Sequence, residues 1–140
     1  MNKLLIFDCE EEIAVTLKEI FEEKGYQVEI AASYEDAVKK AQAHTPDIML
    51  LDLMLHMGID YKAAIRQLMK ASPKTKIIVT TAVDKELEIA RALNLGAVQC
   101  VPKPCAIEDL ERILEETASG KSSDANWGWE NRVSDSPPQY

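Results

Sequence analysis

The chain has 140 residues, 46% of them hydrophobic, which suits one domain built around one core. The 16 Lys and Arg against 24 Asp and Glu leave a net charge of −8, which excludes binding nucleic acid or anionic lipid through bulk charge. No apolar run nears the ~20 residues of a membrane span, "MNKLLIF" meets acid too early for a signal peptide, and 3 cysteines outside metal-ligand spacing read as reduced cytoplasmic thiols.

The first apolar run, "LLIF" (4–7), reads as a strand buried on both faces, and it ends abruptly in Asp8, Cys9 and Glu10. Ile13, Leu17, Ile20 and Phe21 then share one helical face, with Gly25 where a helix C-terminal cap belongs. "YQVEIA" (26–31) alternates and suits an edge strand. Ser33 with Asp36 resembles a capping box that opens a second helix over 34–43. "IMLL" (48–51) is another buried strand and delivers Asp52. Ile65, Leu68 and Met69 define a third helix, and "KIIVTT" (76–81) a further strand. Asp84 is an N-cap for a fourth helix running to about Asn94 and closed by Gly96. "AVQCV" (97–101) leads into "VPKPC", and Ile107, Leu110 and Leu114 carry a fifth helix. Strands alternating with helices predict an α/β, doubly wound parallel sheet over residues 1–118. Residues 119–140 have no period and are rich in Ser, Asn, Gly and Pro, so they read as a flexible polar tail or linker. Trp127 and Trp129 lie in it and are costly to leave in water, which also admits a docking peptide.

In an open parallel sheet, ligands bind at the carboxyl ends of the strands. Those ends deliver Asp8-Cys9-Glu10, Asp52, Thr80-Thr81-Ala82 and Lys103. Clustered carboxylates repel one another and call for a cation, and hard oxygen donors select Mg²⁺. A carboxylate can itself attack a phosphoryl group, while a hydroxyl and an ammonium hold the phosphoryl oxygens. Hydrolysis fits less well, because no His, Cys or Ser is set beside a partner; His44 and His56 read as ordinary surface or loop residues. Singly, an Asp after a strand is a turn or cap residue and a Lys-Pro is a loop. Their joint order along the chain is what makes them specific.

The stretches "FDCEEE", "PDIMLLDLML", "VTTA" and "GAVQCVPKP" resemble the receiver domain of bacterial two-component response regulators, of which the chemotaxis regulator is a minimal member. The resemblance implies a flavodoxin-like receiver fold, a five-stranded sheet in the order 2-1-3-4-5. It implies Asp52 as phosphoacceptor, Thr81 as switch hydroxyl and Lys103 as phosphoryl-binding lysine, with a cis Lys103–Pro104 bond. Mg²⁺ would be held by Asp8, Asp52 and the Met54 backbone carbonyl. A histidine kinase or phosphotransfer protein would supply the phosphoryl group. A downstream protein would read the face of the fourth helix, fifth strand and fifth helix, where Glu86, Glu88, Ile89, Arg91 and Cys100 are expected. Such a domain is expected not to be an enzyme, and no DNA-binding output domain is expected within these residues.

The chain departs from the family at the metal. Cys9 stands where a second acid usually ligates the ion directly, and a soft, mostly protonated thiol weakens Mg²⁺ binding. Glu10 is a substitute oxygen donor, although adjacent positions point differently. Cys100 takes the place of an aromatic switch residue, and His56 with "MGID" alters the loop after Asp52. Weak Mg²⁺ binding at Cys9 favours a rival reading, a degenerate receiver acting as a phosphorylation-independent interaction module. A cofactor- or nucleotide-binding enzyme on the same sheet is disfavoured, because acids follow strand 1 where a phosphate loop needs Gly and backbone N–H groups.

Overall fold

The computed structural model describes residues 2–53, 60–81, 93–103 and 105–119. The strands are β1 (Lys3–Phe7), β2 (Gln27–Ile30), β3 (Ile48–Asp52), β4 (Lys76–Thr81) and β5 (Gln99–Pro102). The helices are α1 (Glu11–Glu23), α2 (Tyr34–His44), α3 (Tyr61–Ala71) and a last helix, Ile107–Ala118. All strands pair in parallel, in the order β2-β1-β3-β4-β5, the flavodoxin-like receiver topology expected. Several expected features lie outside the described residues: Met54, His56, the Lys103–Pro104 bond, the chain from Ala82 to Ala92 with Glu86, Glu88, Ile89 and Arg91, and residues 120–140 with both tryptophans.

Side-chain alternation along the strands sorts the apolar residues into two layers. Leu4 and Ile6, Ile48 and Leu50, Ile78 and Val101 face one side, where Ala14, Leu17 and Phe21 of α1 and Leu110, Ile113 and Leu114 of the last helix cover them. Leu5 and Phe7, Met49 and Leu51, Ile77 and Val79 face the other, under Ala37 and Ala41 of α2 and Ile65 and Leu68 of α3. A sheet covered on both faces explains why its strands read as unbroken apolar runs. β2 is the edge strand that its alternation suggests.

One expectation fails here. Cys100 was expected on an exposed face, but it is wholly buried in the layer that contains Leu68, Ile77 and Val79. Leu93 and Leu95 pack against that same layer, so the small thiol fills core rather than presenting surface.

Local signals explain the helix ends. The Ser33 hydroxyl accepts from the Asp36 N–H (3.0 Å), and the Asp36 carboxylate accepts in return from the Ala32 N–H (2.9 Å). At the close of α1 the Gly25 N–H donates to Glu22 O and the Tyr26 N–H to Phe21 O, both at 3.1 Å. That is a Schellman turn, and its hydrophobic contact is the edge-on packing of Tyr26 on Phe21, with ring centroids 5.6 Å apart.

The two glycines with positive φ give a graded prediction. Gly25 sits at φ +97° with nothing within 4 Å of an added Cβ, so Gly25→Ala meets backbone strain alone, a loss of about 1–2 kcal/mol. Gly96, at φ +123°, would place a Cβ 3.1–3.3 Å from three Met69 atoms, so Gly96→Ala is expected to lose more. Urea unfolding of both variants measures the difference, and equal losses would show that Met69 moves aside without cost.

Candidate functional site

β1 and β3 are neighbours at the centre of the sheet, so the residues that follow them emerge side by side. Asp8 lies just past the end of β1 and Asp52 is the last residue of β3; they are 7% and 4% exposed. The turn into α1 is fixed by the Glu10 N–H, which donates to Asp8 Oδ1 at 2.9 Å. The Cys9 N–H donates to Asp52 Oδ2 at 3.2 Å and so ties the two strand ends together. On the far side, the Lys103 N–H donates to Thr81 O at 2.7 Å, which holds the chain leaving β5 against the end of β4. From there the Lys103 ammonium reaches Asp8 Oδ2 at 2.5 Å and lies 3.6 Å from Asp52 Oδ2. Thr81 closes β4, is buried, and pairs in ladder register with Pro102 of β5.

The arrangement is a nearly dry ion triad. Two carboxylates taken from water are tolerable only with a well-placed cation and hydrogen bonds to their oxygens, and the site supplies both. Chemically it offers a carboxylate nucleophile on a rigid strand end, with an ammonium close enough to draw charge from an incoming anion.

Cys9 occupies the mouth. Its side chain is exposed, yet the wall behind it withdraws water on one side. That desolvation, then a hydrogen bond to Asp52 and the Asp52 and Asp8 charges, pushes the thiol from 9.0 up to about 11. Burial alone raises Cys100 to about 12, and Cys105 rises to about 12 chiefly for the same reason.

The Mg²⁺ implied by the resemblance demands an octahedral shell of hard oxygens. Among the described residues, the converging ligand atoms are carboxylate oxygens of Asp8 and Asp52 and the Cys9 sulfur, all within 4.8 Å of one another. One of these three is a soft sulfur rather than a hard oxygen, and the Lys103 ammonium already engages Asp8 Oδ2. Among the described residues this donor set, two carboxylates and a thiol, does not fit a Mg²⁺ shell; the Met54 carbonyl lies outside them. Glu10 stands outside the converging group, exposed at the N-terminal cap of α1.

One residue of the site carries no signal in the sequence. Tyr34, the first residue of α2, shares its hydroxyl proton between the carbonyls of Asp52 (2.7 Å) and Leu53 (2.9 Å). Its ring packs on Phe7 of β1 with centroids 4.8 Å apart. Burial, followed by the nearby Asp52 charge, drives the phenol well above its ordinary 10.0, so it remains a donor. His44, by contrast, is the ordinary surface residue its context suggests, with a mostly exposed side chain 3.6 Å from Glu29.

The response regulator receiver domain family matches residues 4–115. The transcriptional regulatory protein PhoP of Bacillus subtilis, described as regulating alkaline phosphatase synthesis, is 37% identical over 105 residues, which are 74% of this chain and 42% of that protein. Transcriptional regulatory protein CpxR of Escherichia coli is 37% identical over 106 residues, 74% of this chain and 44% of the relative. The chain thus spans less than half the length of these relatives. Among solved structures, a CheY-like receiver domain protein from Methanospirillum hungatei is 27% identical with a TM-score of 0.78, covering 86% of this chain and 95% of that one. A response regulator from Burkholderia pseudomallei, solved with a phosphorylated aspartic acid and a calcium ion, is 27% identical with a TM-score of 0.77, covering 94% and 75%. Phosphorylation and Mg²⁺ are features of that family.

Two outcomes follow from this geometry. Tyr34→Phe keeps the ring on Phe7 and leaves the Asp52 and Leu53 carbonyls without their donor, so urea unfolding should show a loss of about 1–2 kcal/mol. No loss would mean that water takes the hydroxyl's place. Because the thiolate is the reactive form, Cys9 should alkylate slowly for an exposed cysteine at about pH 8, with its rate climbing towards a plateau near the thiol's value of about 11. Mass mapping of iodoacetamide-treated protein across alkaline pH checks this, and a plateau below 9.0 would remove the proposed influence of the carboxylates.

Proposed function

The chain belongs to the response regulator receiver family, and from that premise we propose that it accepts a phosphoryl group on Asp52 in two-component signalling. The observation that carries the reading is the buried Asp52 carboxylate on a strand end, with Asp8 beside it and the Lys103 ammonium facing both. The phosphorylated aspartic acid in the Burkholderia pseudomallei neighbour supports it. An Asp52 oxygen forms the new P–O bond as the donor's P–N bond breaks, and the donor imidazole leaves with the electron pair. Lys103 stabilises the charge spread over the phosphoryl oxygens, and the Thr81 hydroxyl is the proposed hydrogen-bond partner of the product.

The donor is a histidine kinase or phosphotransfer protein, and the output is a changed surface read by a protein partner rather than chemistry on a substrate. That surface is the face of the fourth helix expected before β5, most of which lies outside the described residues, with β5 and the last helix. Cytoplasmic residence belongs to the same reading, supported by three unpaired cysteines and by the lack, among the described residues, of any helix long and apolar enough to cross a membrane. The net charge of −8 favours a protein partner over nucleic acid.

A second reading, a degenerate receiver that binds its partner without phosphorylation, is favoured by one observation, the thiol in the carboxylate cluster. Treatment with a small phosphodonor followed by intact mass separates the two. One added phosphoryl group on the native chain and none on Asp52→Asn is the expected result. Undiminished label on Asp52→Asn would place the chemistry elsewhere, and no label on the native chain would favour the degenerate module.

A further inference from the structure

We propose that Lys103, not a divalent cation, is the counter-ion of the Asp8–Asp52 pair, so that this receiver loads Asp52 without Mg²⁺. The inference rests on the acceptor reading of Asp52 and departs from the metal use that characterises the family.

Charge supplies the first argument. Asp8, Asp52 and Lys103 carry formal charges that sum to −1, whereas an acid in place of Cys9 would make the sum −2. A cation entering the mouth therefore meets about half the net attraction that a three-acid site with the same ammonium would exert. Donor chemistry supplies the second. Mg²⁺ gives up its waters only to hard oxygens in strict geometry, and the sulfur that completes this cluster is soft.

The third argument is occupancy. Asp8 Oδ1 accepts the Glu10 N–H, Asp8 Oδ2 holds Lys103, and Asp52 Oδ2 receives both the Cys9 N–H and the ammonium. A metal taking Asp8 Oδ1, Asp8 Oδ2 or Asp52 Oδ2 would have to share it with a backbone N–H or the ammonium. Lys103 is itself fixed, because its side chain is 11% exposed and its N–H is anchored to Thr81 O. The ammonium thus stands where a transferring phosphoryl group develops charge, with no ion needed to bring a positive charge there.

The test uses phosphoramidate, whose nitrogen is already protonated. An Asp52 oxygen bonds to phosphorus as the P–N bond breaks, and ammonia leaves with the electron pair, so no proton has to be supplied. The native chain, Cys9→Asp and Cys9→Ser are compared in chelator and in saturating Mg²⁺. Thermal unfolding reads metal binding directly, and intact mass reads phosphorylation. The native chain and Cys9→Ser should show no Mg²⁺-dependent rise in Tm, and rates within about twofold between the two buffers. Cys9→Asp should gain a Tm rise and a rate increase of about tenfold or more with Mg²⁺. A Tm rise and rate increase in the native chain equal to those of Cys9→Asp would overturn the proposal. Phosphorylation of Cys9→Asp alone, and only with Mg²⁺, would also overturn it while leaving Asp52 as an acceptor that needs the missing acid. Failure of every protein in both buffers would overturn the acceptor reading beneath it.

Discussion

The contact between Lys103 and the Asp8–Asp52 pair sets conditions on the rest of the molecule. Two carboxylates at 7% and 4% exposure cannot stay charged out of water without a cation fixed beside them. The cation comes from 95 residues away in sequence, so the pairing exists only if the chain returns to the right place. The sheet order achieves this. β1 and β3 lie adjacent, β4 follows, and β5 sits at the edge, paired in parallel with β4 as far as Pro102. The Lys103 N–H bonded to Thr81 O is the last step of that path. Fold and site are therefore one requirement, since the apolar layers that order the strands also decide which polar groups meet.

Those layers were legible in the sequence because they obey simple periods. "KIIVTT" is β4 residue for residue, and Gly25 and Ser33 mark the turns that their chemistry demands. The residues Asp8, Asp52 and Lys103 are legible as one group for the same reason: parallel topology forces the carboxyl ends of the strands to one side. What periodicity does not encode is which face of an edge strand is covered. Cys100 was placed on the surface by its position in β5, whereas the alternation that buries Val101 on one side buries Cys100 on the other. β5 also starts two residues later than its apolar run, at Gln99, and extends to Pro102. A proline can end an edge strand because no ladder partner needs its missing N–H.

Tyr34 was illegible for a different reason. It reads as a helix-opening residue after a Ser cap, and nothing in its neighbours announces a hydrogen bond across the sheet. The bond arises because α2 lies over β1 and β3, so a long side chain in its first turn can reach the carbonyls that follow the strand core. Long-range contacts of this kind depend on how helix and strand are offset, which no local pattern records. The consequence reaches function: the peptides bearing Asp52 are held from outside β3, by Tyr34 on one helix and by the Leu53 N–H bonded to Thr80 O. The Asp52 backbone is thus held by two neighbouring elements, α2 and β4, as well as by its own strand.

Position 9 shows how the site can change chemistry without changing shape. Its contribution to geometry is a main-chain N–H, which donates to Asp52 Oδ2 whatever the side chain is. Its side chain is exposed, so exchanging a carboxylate for a thiol disturbs no packing in the core. The two roles are separable, because the backbone keeps the strand ends joined while the side chain sets charge and donor type. A substitution at Lys103 has no such freedom, since one ammonium serves both carboxylates and is anchored through its own N–H. Metal preference can therefore drift at residue 9 while the triad at residues 8, 52 and 103 remains under the full cost of burying charge. A chain that keeps this triad beside a thiol retains the electrostatics for holding an anion, and offers a softer donor set to a hard cation.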